Sequence, residues 1–287
     1  MRRRGNDAMV KMSTVWDRTA EFLSDQIGAI VPVALLAFFV PASIGGSLEP
    51  VFLTASPGLM LGLRLVQLAF AILSIWGSLT ITAMALDGVS GGTAGAIGRR
   101  RLLPALVVSV VLGVAMLLLT LPLPIFLAAS GYDLTAVARG ETVEISSTAA
   151  AVLWIYTLVL LVALAWIAAR LFVMTPVIVR EERMFGAIPQ SWRLTRGSAW
   201  RIVGVLILFV VVAIVSGLAA KTVFGSIFAL IAGGGEEGIS LAGVLTSIVA
   251  AAVQTAFLVL APAFAAKLYL ALSAQAALRS HVQAARD

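Results

Sequence analysis

The chain has no cysteine, a single histidine, and few charges: only 12% of its 287 residues are Asp, Glu, Lys or Arg. Without Cys there is no disulfide framework, thiolate metal site, cysteine nucleophile or palmitoylation site. A zinc site or a Ser-His-Asp relay needs imidazole. The one His, His281, stands close to the C-terminus, where a solvated surface role is expected. Soluble domains carry about twice this share of charge, roughly 25%. No cofactor is expected.

Apolar residues dominate what is there. They make up 61% of the chain, and the mean hydropathy is +1.05. A globule of this size in water has too little polar surface to cover so much apolar side chain. A soluble enzyme, a disordered chain and a fibrous protein are excluded. The sequence reads as an all-α polytopic membrane protein, one integral membrane domain over residues 1–287.

A helix needs about 20 apolar residues to cross the hydrocarbon core. Six runs qualify: 26–46, 60–86, 102–129, 148–179, 202–231 and 240–274. The last three are longer than a straight crossing requires, so they must tilt, break or run past the membrane surface. In the fifth, Gly217 and Lys221 suggest a break, with 223–231 on or re-entering the outer face. In the fourth, Pro176 is expected to mark the helix end. The N-terminus is not read as a signal peptide. Arg2, Arg3 and Arg4 resemble a basic leader, but Asp7, Asp17, Glu21 and Asp25 follow before the first apolar run.

Charge placement predicts orientation. Fifteen of the 20 Lys and Arg lie on one side, in residues 1–25, 87–101, 179–201 and 276–287, whereas Arg139 is alone on the other. Basic residues in short loops stay cytoplasmic, so both termini are expected there, in a bacterial inner membrane. The same sorting accounts for the basic balance without nucleic acid.

Three segments on that side are amphipathic: 14–27, 93–103 and 184–200. Val15, Thr19, Phe22, Leu23 and Ile27 recur at helical spacing in the first, and Thr14 with Asp17 fits a loose capping box. Phe185, Ile188 and Trp192 share a face in the third. Such helices lie in the headgroup plane. Gly95-Ala96-Ile97 and Gly186-Ala187-Ile188 occupy corresponding places, a hint of a repeated span–surface helix–span unit.

Ser191-Trp192-Arg193-Leu194-Thr195-Arg196-Gly197 reads as a surface helix closing at a left-handed Gly197, with Ser198 capping the next helix. Trp192 and Trp200 are expected interface anchors. Arg193, Arg196 and Arg201 offer planar forks suited to phosphate. Four basic residues fall within spans: Arg64, Arg170, Lys221 and Lys267. They either snorkel to an interface, or Arg170 and Lys267 join the three arginines in a basic pocket for an anionic lipid head. Tyr156 and Gln254 line it or bond between helices. Ser74, Ser78 and Thr82, like Ala261 and Ala265, recur every fourth position, a spacing that allows close helix approach in lipid.

Residues 174–208, with their Ser-Trp-x-Leu-Thr-x-Gly-x-x-Trp-Arg pattern, resemble six-span bacterial membrane proteins. These are the YciC-like proteins and the membrane domain sometimes fused to glycerophosphodiester phosphodiesterases. Residues 77–113, with Gly92-Thr93-Ala94-Gly95-Ala96 and Arg100-Arg101-Leu102-Leu103-Pro104, are similar, as is the N-terminal helix running into Pro32 and Pro41. That family often ends its last span with Tyr and a charged pair. Here Tyr269 is kept and the pair is missing. The resemblance implies a link to phospholipid or envelope metabolism.

Catalytic residues are not apparent. The acids opposite the basic side, Glu49, Asp133, Glu141, Glu144, Glu236 and Glu237, are scattered, and Gly233-Gly234-Gly235 reads as a flexible turn. The expectation is a non-enzymatic protein that engages anionic phospholipid, with membrane phospholipids and a lipid-metabolising enzyme as partners. The alternative is a transporter or flippase for a lipid or small solute.

Overall fold

The computed structural model describes residues 10–54, 56–133, 136, 146–182, 184, 186–232 and 240–284. Expectations placed on Arg2 to Arg4, Arg139, Glu141, Glu144, Phe185, residues 233–237 and the side chains of Glu49 and His281 lie outside them. Among the described residues regular structure is helical throughout, and six helical stretches are long and apolar enough to cross a membrane. The protein is an all-α polytopic membrane protein.

Helix α1 (Met12–Asp25) is the amphipathic helix expected at 14–27, two residues early. Lys11 takes the N-cap position without a side-chain bond, so the Thr14–Asp17 box is not used. Val15, Thr19 and Phe22 are buried, and Trp16 stacks on Phe264 with ring centroids 4.5 Å apart. The apolar face of α1 is therefore covered by the last span rather than by lipid.

The first span joins α2 (Ile27–Ala34), one π-helical turn (Leu35–Phe39) and α3 (Val40–Thr54). Pro41 has no N–H to give the carbonyl one turn earlier. Ser74 Oγ of α4 (Pro57–Asp87) donates to that carbonyl, Ala37 O, at 2.9 Å. The hydroxyl can reach because the two backbones nearly touch. A Cβ added at Gly77 would lie 2.4 Å from Ala37 Cβ. Of the small residues spaced four apart in the second span, Ser74 meets the first span, beside Gly77.

Three expected breaks fall elsewhere. Segment 93–103 is not a separate surface helix. It is the opening of α5 (Gly91–Thr120), which continues through Pro104 before α6 (Pro122–Ala129). The helix of the fourth span ends not at Pro176 but at a turn over Phe172 and Val173, between α7 (Ser147–Leu171) and α8 (Met174–Glu181). Pro176 sits in the first turn of α8, where its missing N–H would have had no helical partner anyway. The fifth span has no break at Gly217 or Lys221. After α9 (Ala187–Leu194), α10 runs unbroken from Ala199 to Ala232. One isolated Gly weakens a helix by only about 1 kcal/mol, too little to interrupt an apolar helix whose backbone must be satisfied internally.

The sixth span is α11 (Leu241–Ala284). It packs against α10, α3, α4 and α1, and its Ala263, Phe264, Ala266 and Leu268 are among the most buried side chains. Large apolar residues on the outer faces of the other spans, such as Trp154, Leu158 and Leu161 of α7, are exposed. This is the pattern of a bundle whose exterior meets hydrocarbon.

Candidate functional site

The expected headgroup residues lie at the end of the bundle that holds α1, α8 and α9. Arg170 is the penultimate residue of α7, where helix carbonyls lose their partners. Its own carbonyl accepts from Ser191 Oγ at 2.7 Å and Thr195 Oγ1 at 3.3 Å, both from the α9 segment. Its guanidinium returns the favour, with Nη1 donating to Trp192 O at 3.2 Å in the last turn of α9. The two helix ends cap each other. The same guanidinium lies over the Trp166 ring (4.8 Å) and the Trp192 ring (5.1 Å), and the rings meet edge to face at 5.0 Å. A cation held against two indoles is well stabilised outside water.

Lys267 has different partners. Its Nζ donates to Ala85 O at 2.9 Å and sits 4.8 Å from the centroid of Phe22. Ala85 is in the last turn of α4, which closes on left-handed Gly88. A lysine on a free carbonyl at the negative end of a helix is well placed. Beside it lies a cavity of about 340 Å³, with Arg18, Glu21 and Asp25 of α1 also on its wall. The lining is mixed in sign. Arg170 and Lys267 are thus each engaged at the end of a helix, one with α9 and one with α4.

Arg193, Arg196 and Arg201 are exposed. They follow one another through the end of α9, the turn and the start of α10. Gly197 takes φ +92°, as expected of a left-handed closing residue. Ser198 holds the N-cap position of α10, its carbonyl accepting from the backbone N–H of Arg201 and of Ile202, each at 3.1 Å. Trp200 is 74% exposed, whereas Trp192 is 36% exposed because one edge closes the Arg170 cage.

Three carboxylates at this end were not singled out by sequence. Asp87, the last residue of α4, pairs with Arg180 of α8. Glu182 pairs with Arg101 of α5. Glu181 accepts from Tyr269 Oη at 3.1 Å and from Gln190 Nε2 at 3.2 Å. Tyr269 thus finds an acid partner on α8. A signal was available: each of these acids stands at a helix end on the basic side. Among the described residues no three His, Asp or Glu side chains gather as a metal site. Tyr156 bonds between helices, its Oη donating to Leu119 O of α5.

Comparison with known protein families matches residues 142–285 to the membrane domain of glycerophosphoryl diester phosphodiesterase. The chain belongs to this family. The matched half of this membrane-domain protein holds the fourth, fifth and sixth spans together with the α9 segment. No curated protein and no solved structure matches the chain.

Proposed function

We propose that this membrane-domain protein is non-enzymatic and engages anionic phospholipid at the membrane surface where α9 meets α10. The observation that carries the reading is the segment from Trp192 to Arg201. It presents Arg193, Arg196 and Arg201 at the surface, flanked by Trp192 and Trp200. Arginine forks match phosphate oxygens two at a time, and indoles settle at headgroup depth. Arg170 serves this surface from behind by holding α7 to α9, while Lys267 holds α11 to α4. The surface faces the cytoplasm, with both termini, in a bacterial inner membrane. A lipid-metabolising enzyme is the natural partner, since the family is named for a phosphodiesterase.

The test compares lipids that co-purify with the wild type and with the triple variant Arg193→Gln, Arg196→Gln, Arg201→Gln. Loss of anionic phospholipid from the variant is expected; equal content overturns the reading. Protein-dependent flux of lipid or solute in proteoliposomes would favour the transporter instead. Reporter fusions at each terminus test the orientation.

A further inference from the structure

A second cleft lies among the spans, at the end of the bundle away from α1, α8 and α9. Its volume is about 600 Å³, and α3, α4, α10 and α11 wall it. Its lining follows α11 from Ala242 to Gln254, about three turns or roughly 18 Å of helix rise. It therefore reaches from the helix end well into the hydrocarbon region.

Small residues make the room. On either side, α11 is touched by a glycine. A Cβ at Gly46 would come within 3.1 Å of Ser247 Cβ, and one at Gly225 within 3.5 Å of Thr246 Cγ2. Ser47 and Ser247 close one of these contacts with a 2.7 Å hydroxyl pair. Between them, Gly45, Ala42 and Ala250 leave space that larger side chains would fill.

The polar lining is one-sided in charge. Among the described residues, Lys221, Gln67, Gln254, Thr246 and Ser247 line the cleft, and no carboxylate does. Gln67 Oε1 already accepts from Arg64 Nη1 at 3.2 Å, which leaves its amide N–H groups as donors. Thr246 Oγ1 spends its proton on Ala242 O at 2.7 Å. The cleft thus offers one ammonium and amide donors in otherwise apolar walls. A cation within a span is expensive unless a counter-charge meets it.

We propose that this cleft binds the phosphate head of an anionic lipid from the leaflet opposite the one bearing the termini, with Lys221 as its counter-ion. The volume is far larger than a phosphate needs and lies in the range of sites that enclose whole small ligands. The walls beyond the polar groups suit the glycerol and the first methylenes of the chains. This site is independent of the Arg193 to Arg201 surface.

The test uses the full chain in phosphatidylcholine nanodiscs doped with photoactivatable phosphatidylglycerol. Labelled peptides are mapped by mass spectrometry, and matched photoactivatable phosphatidylcholine serves as the reference. Phosphatidylglycerol should label residues 242–254 about fivefold above the reference, the factor for one basic residue at a charged headgroup. Lys221→Gln should remove that excess, and Ala250→Leu, which fills the cleft, should remove labelling by both probes. The triple variant of Arg193, Arg196 and Arg201 should leave it intact, so failure of the surface reading and failure of this one are separable. Equal labelling by the two probes, or an excess that persists in Lys221→Gln, overturns the proposal. Displacement of the label by soluble glycerol phosphate overturns the lipid assignment in favour of a free phosphate ester.

Discussion

The two ends of the bundle are held by different chemistry. At the end with α1, α8 and α9, long side chains lock helix termini together: Arg170 across α7 and α9, Lys267 on α4, Arg180 with Asp87, Arg101 with Glu182, Tyr269 with Glu181. At the other end, α3 and α10 meet α11 through Gly46, Gly225 and serine hydroxyls, and a polar cleft opens between them. The difference follows from charge sorting. Basic residues accumulate at one surface, and the few acids there give them partners. Among the described residues of the far end no such set appears, and α3 and α10 meet α11 by small-residue contact, which leaves space where side chains would be. One end is joined by reach and the other by shortness.

Breaking the tightest helix contact, between the second span and the first, should have the largest effect. Gly77→Ala places a methyl 2.4 Å from Ala37 Cβ, so backbone must move. A loss of about 1–3 kcal/mol or more is expected, read as a lowered unfolding midpoint in detergent. At the open end, Gly46→Ala meets Ser247 Cβ at 3.1 Å and should cost clearly less in the same assay. If Gly46→Ala proves the worse, the contact beside the cleft is the tighter of the two.

Next comes the indole cage. Arg170→Met removes the cation packed against Trp166 and Trp192 and the bond to Trp192 O. A loss of about 1–2 kcal/mol is expected, with α9 released first. Faster hydrogen exchange confined to the Ala187–Leu194 amides would locate the effect, whereas uniform exchange would mean the cage is not local.

The smallest effect belongs to the surface pairs. Arg180 and Asp87 side chains are 48% and 33% exposed. A double-mutant cycle with Asp87→Asn and Arg180→Gln should give a coupling of about 0.2–1 kcal/mol, shrinking in salt. A larger, salt-resistant coupling would make this pair, rather than the cage, the main fastener of the closed end.

How far the site was legible depends on what each residue needed from the rest of the chain. The left-handed turn at Gly197 and the amphipathic face of Val15, Thr19 and Phe22 are local patterns, and both stand. The partners of Arg170 and Lys267 are not local. Trp192 is on another helix, and Ala85 is far away in the chain. Nothing in the spacing around Arg170 distinguishes a headgroup ligand from a helix cap. The same holds for Glu181, which reaches Tyr269 only because α8 folds back onto α11.

The sequence by itself determined the solvent, the number of crossings and the surface to which the cations go. Those follow from the length of apolar runs and from the cost of unsatisfied backbone in hydrocarbon. Only the tertiary structure decided where helices break and which side chains cap them. It also set where the cleft lies. An intact helix across Gly217 and a broken one at Phe172 differ little in local preference, so the packing of neighbouring helices chooses between them.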